Sequence, residues 1–145
     1  MNKARTLKLA EIYDCNDDFE PLSLDQCLKH MPLVVNECRS RQTFQSAVEV
    51  CDTCRTAWAA YLQEWSNDPH RCDQSALEAG LTACLEAVRS VVTNQSSNFL
   101  GSKVRQYEES IAFRLHLAKV LHSHGAEAAK AQMKQRQQNL ARRRH

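Results

Sequence analysis

Seven cysteines, at positions 15, 27, 38, 51, 54, 72 and 84, are the residues of this 145-residue sequence best equipped for chemistry. Cys51-x-x-Cys54 followed by His70-x-Cys72 offers four thiolate and imidazole ligands of the kinds that zinc takes, on the two sides of a turn. The spacing is only loosely finger-like, because Cys51 and Cys54 fall inside a helical segment, whereas a zinc knuckle sets its Cys-x-x-Cys in a tight turn. A redox Cys-x-x-Cys belongs at a helix N-terminus, where the dipole lowers the thiol pKa, and Cys51 sits near mid-helix. An odd number of cysteines without a secretory signal also argues against a disulfide framework. Cys27, Cys38, Cys51, Cys54 and Cys84 all fall on apolar seams, where a free cysteine behaves as a small hydrophobe. Core filling is therefore the expectation, zinc the alternative, and no cofactor is assigned.

His116, His122 and His124 cluster ahead of Gly125. A di-iron bundle would need Glu-x-x-His pairs on neighbouring helices, and none occurs here. Histidines in the last turn of a helix are more simply cations favourable to its dipole. There is no phosphate-cradling glycine run, no nucleophile elbow and no His-Glu-x-x-His. No catalytic residue and no small-molecule substrate follow from the sequence, and the chain is not expected to be an enzyme.

The formal charge of +2 conceals an asymmetry. Between residues 126 and 145 lie Lys130, Lys134, Arg136, Arg142, Arg143 and Arg144 against the single acid Glu127, which leaves −3 on the remainder. Another run, Asp14, Asp17, Asp18, Glu20 and Asp25, is wholly acidic. Lysines and arginines on such a tail can attract phosphates without reading sequence. The tail has no aromatic residue for base stacking, and no helix-turn-helix is evident. Non-specific nucleic-acid contact is thus the alternative partner, with those six basic residues as its site.

The elements that hold these residues are legible from periodicity. Leu24, Cys27, Leu28, Met31, Val35 and Cys38, then Phe44, Ala47, Val48, Cys51, Cys54, Trp58, Tyr61, Leu62 and Trp65, recur at steps of three and four. Only three glycines and three prolines punctuate the chain, so long helices are expected. Helices are read at 3–13, 24–39, 42–65, 74–94 and from 102 onward. Ser23 with Gln26 and Ser75 with Glu78 are the capping boxes of the second and fourth. Pro32 should kink the second. The fold expected is all-α, a four- to five-helix bundle over 1–125 with a long C-terminal helix, and a projecting basic tail over 126–145. Its core should include Leu28, Val35, Val48, Trp58, Leu81, Leu85, Ile111 and Leu115.

The last long helix is apolar over a wide arc, which marks a central helix with several neighbours. Its surplus around Phe113, Leu117 and Val120, together with Met133 and Leu140 on the tail, is the surface expected to dock a partner. That partner is read as another protein, or a second copy of the chain. No stretch approaches the roughly 20 apolar residues of a membrane span, and a cytosolic location is expected.

Overall fold

The computed structural model describes residues 23–94 and 98–143. Among them five α-helices follow one another: α1 Leu24–Arg41, α2 Phe44–Asn67, α3 Gln74–Asn94, α4 Asn98–His124 and α5 Ala126–Arg143. A 3-10 turn, Pro69–Arg71, joins α2 to α3. No strand occurs among the described residues, and no helix there is long and apolar enough to cross a membrane. The all-α bundle demanded by the periodicity is what forms. The helix read at 3–13, the acidic stretch after it, Cys15 and Arg144 lie outside the described residues.

Local hydrogen bonding sets the helix ends. Ser23 caps α1 in the box read from the sequence: the Gln26 N–H donates to Ser23 Oγ at 3.1 Å and the Ser23 N–H to Gln26 Oε1 at 3.2 Å. The helix then runs unbroken through Pro32 to Arg41. Gln42 does not open the next helix, as the sequence reading had it. It closes α1 in the left-handed region, at φ 56°, with its N–H donating to the Cys38 carbonyl at 2.9 Å. Thr43 is the cap of α2, in a reciprocal box with Ser46 at 3.1 Å each way. The cap of α3 also lies elsewhere than expected. Asp73 Oδ1 accepts from the Ala76 N–H at 3.0 Å, so the helix begins at Gln74 and places Ser75 inside its first turn. Glu78 is then bonded to Gln74 rather than to a capping serine.

Burial identifies the central element as the C-terminal half of α2. Ala57, Trp58, Ala59, Ala60, Tyr61 and Leu62 are consecutive, and none is more than 2% exposed. A helix buried at six successive positions is covered on every side. The alanines let neighbours approach, while Trp58 and Tyr61, stacked with ring centroids 5.8 Å apart, fill the space between them. Val35, Trp58, Leu81, Leu85 and Ile111 are in the core as expected, whereas Leu28 and Leu115 are only half-buried at its margin and Val48 is half-buried on α2. Val50, two residues on, carries the fully buried position instead of Val48.

Gly80 sets the approach of α1 to α3. A Cβ at this position would stand 2.6 Å from Met31 Sδ, so the absence of a side chain is what lets Met31 lie buried there. Exposed ion pairs, Arg39 to Glu86 at 3.4 Å and Arg89 to Glu108 at 2.7 Å, join α1 to α3 and α3 to α4. Such surface pairs contribute only about 0–1 kcal/mol each.

The placement of the α3 cap has a direct consequence. Asp73→Ala should lower stability by about 1 kcal/mol in a urea melt, and Ser75→Ala should be nearly silent. Equal losses from the two changes would contradict the assignment.

Candidate docking groove

Gly125 decides what becomes of the basic segment. At φ 91° it occupies a conformation that residues with a Cβ rarely adopt, and its N–H donates to the Leu121 carbonyl at 3.0 Å. The chain reverses there, and α5 lies along α4. Ala129 is completely buried and Met133 is packed against the core, while Leu140 remains half-exposed near the far end.

This arrangement accounts for the wide apolar arc of α4. The helix packs against α3, α2 and α5 at once. Leu117, expected on the open surface, is 0% exposed and belongs to the core. Phe113 and Val120 are half-buried beside it. Phe113 instead forms part of a groove of about 450 Å³ between α4 and α5, whose walls include Ala112, Glu109, Gln132, Arg136, Leu140 and Arg143. The Arg136 guanidinium lies over the Phe113 ring, 4.8 Å from its centroid, and the His116 ring is tilted against the same phenyl at 6.2 Å.

The five described basic residues of α5 do not form one stripe. At about 100° per residue, Arg136 and Arg143 fall on the groove side, Lys130 and Lys134 on the opposite flank, and Arg142 points away from α4. A phosphate backbone tracking one face would meet only part of this charge.

The zinc set is not assembled. Cys51 and Cys54 are buried in α2, His70 is exposed on the 3-10 turn, and the Cys72 thiol donates to the Tyr61 carbonyl at 3.7 Å. Tyr61 is two turns along α2 from Cys54, about 10 Å by helical rise. Among the described residues no three His, Cys, Asp or Glu side chains converge as metal ligands. His116, His122 and His124 are exposed, the latter two in the last turn of α4.

The thiols that do gather are in the core. Cys54 on α2 is buried beside Cys84 on α3, and the neighbouring thiol together with burial raises the Cys54 pKa. Burial likewise raises Cys51, against the opposing field of the Arg55 and Arg114 guanidinium groups. Arg114 was not foreseen as a core residue, yet it is only 6% exposed. Its Nη1 donates to the Ser110 carbonyl at 3.3 Å and to the Ser110 hydroxyl, one turn back. The spacing Ile111, Arg114, Ala118 carries the signal that would have found it, since all three share one face of α4. Leu33, at 65% exposure the one large exposed hydrophobic among the described residues, was passed over in the same way.

Burial pushes the Cys72 thiol up from its ordinary 9.0 to about 12, with Glu64 and Asp68 adding to the effect. The Tyr61 hydroxyl is also raised by burial, from 10.0 to about 12, with Cys72 and Glu78 contributing. Folded, both groups hold their protons to higher pH than in the unfolded chain. Their contribution to stability is therefore complete below about pH 9 and lost as pH rises toward 12. A urea melt repeated at alkaline pH should show stability declining above about pH 9, a decline that Tyr61→Phe makes shallower. A decline unaffected by Tyr61→Phe would contradict the role of this hydroxyl.

The chain matches no protein-family model, and comparison with curated proteins and with solved structures likewise finds no match.

Proposed function

We propose that the chain is a non-enzymatic helical interaction protein, an adaptor, chaperone-like factor or small regulatory subunit of the cytosol, which binds another protein along the α4–α5 groove. The observation that carries this reading is Phe113 beneath the Arg136 guanidinium, in an open groove with Leu140 at its edge. Aromatic and arginine side chains held half-buried in a depression, with a polar surround, are the composition of interface hot spots. Glu109, Gln132 and Asn139 supply the polar surround here.

The alternative is a nucleic-acid-associated subunit using Lys130, Lys134, Arg136, Arg142, Arg143 and Arg144. The division of the described basic residues among three sides of α5 favours the protein reading over it. Met133 packs on the core, so its replacement would test the fold of α5 before it tested docking.

Leu140 and the terminal arginines separate the two readings. With a protein partner, Leu140→Ser should weaken affinity capture of that partner, and joint replacement of Arg142, Arg143 and Arg144 by Gln should act mainly at low salt. With nucleic acid the order reverses. The triple replacement would then lower the slope of log affinity against log salt by up to about 3 units, and Leu140→Ser would be nearly silent. Capture indifferent to Leu140→Ser, with binding to DNA or RNA that follows the arginines, would overturn the proposal.

A further inference from the structure

A second groove, of about 400 Å³, opens between α1 and α2. Its lining holds three carboxylates, Glu37, Glu49 and Asp52, and no lysine or arginine. Arg41 pairs with Glu37 at 2.8 Å and Arg55 stands 3.9 Å from Asp52, but neither base lines the groove. Leu33 is part of this same surface and stands 65% exposed. Leu33 is the one large hydrophobic left exposed among the described residues, and it stands beside three carboxylates. It gives this face one apolar point with an acidic surround.

A surface of the opposite charge lies between α4 and α5. The α4–α5 groove has an apolar floor of Ala112, Phe113 and Leu140, with two arginines against one glutamate in its lining. Arg136 and Arg143 are seven residues apart on α5, about 10 Å along the axis, and so form a basic edge two turns long. Carboxylates on the one surface answer guanidinium groups on the other. The two linings are complementary in charge.

We infer that the occupant of the α4–α5 groove is the α1–α2 face of a second copy of this chain, with Leu33 seated beside Phe113 and Leu140 and with Glu37, Glu49 and Asp52 facing Arg136 and Arg143. This rests on the reading of that groove as a docking surface and names what fills it. Two different faces of one chain make the contact, so the association is head-to-tail: it closes into a ring or extends with concentration.

Sedimentation of the full chain over a concentration series, at low and high salt, tests this. The average mass should rise with concentration and fall back as salt screens the opposed charges. Leu33→Glu should abolish the rise. Gln132→Glu with Arg143→Glu reverses the sign of one lining, and Glu49→Lys with Asp52→Lys reverses the other. Each double variant should be monomeric alone, and an equal mixture of the two should associate again. All five positions are exposed, so circular dichroism should show unchanged helix content in every variant. A wild-type chain that stays monomeric throughout overturns the inference, and it leaves the docking reading standing if Leu140→Ser still weakens capture of a different protein. Association that is lost with Leu33→Glu but indifferent to both charge reversals puts the contact elsewhere and overturns the groove as its seat.

Discussion

Six consecutive buried residues in the C-terminal half of α2 are the constraint on which the other elements depend. A helix with Ala57, Trp58, Ala59, Ala60, Tyr61 and Leu62 all removed from water has no solvent face to spare, so its neighbours must surround it. The small residues let them come close, and the large ones fix where each can lie. Two contacts tie the surroundings to this rod by its own backbone and side chains. Glu64 accepts from the Leu24 N–H at 3.1 Å, which anchors the start of α1, and the Tyr61 carbonyl accepts from Cys72 at 3.7 Å, which holds the connection into α3. The cysteines take their meaning from the same crowding. Cys51, Cys54 and Cys84 are buried where helices meet, and a sulfur there occupies the room of a small hydrophobe.

Two glycines do opposite work around this centre. Gly80 removes a side chain so that α1 can close on α3 over Met31. Gly125 has open space around it, with nothing within 4 Å of a Cβ built there, and is used for its backbone: at φ 91° it turns the chain back on itself. Without that turn α4 would present a bare apolar arc. With it, Leu117 joins the core, and Phe113 becomes part of a groove in place of an exposed ring.

The seams of α1 to α4 were legible because period-3.6 burial is written directly in residue type, and Ser23 with Gln26 named a helix start correctly because both halves of the box are local. What was not legible depends on neighbours far along the chain. Ser75 and Asp73 are both good caps, and only the packing of α3 chooses Asp73. Gln42 entered the left-handed region at a position where glycine or asparagine would have been the recognisable signal. The low apolar content of 126–143 reads as a tail with little to bury, yet Ala129 and Met133 suffice to lay it on α4 when Gly125 supplies the turn. Arg114 was invisible as a core residue because its type says surface, although its position says interior. For the candidate site, the sequence named Phe113 and Leu140 but not what brings them together, nor Leu33, since exposure is a property of the fold.

The docking of α5 is the least strongly held part of the structure and the part on which the functional reading depends. Few apolar side chains hold it, and Arg136 over Phe113 is its most specific contact with α4. Nuclear Overhauser contacts in solution test it most directly. The account predicts cross-peaks between the Phe113 ring protons and the Arg136 side chain, with Arg136 methylene resonances shifted upfield by the ring and slowed hydrogen exchange at Ala129. Absence of those cross-peaks, with residues 126–143 exchanging as a free helix, would contradict a groove between α4 and α5.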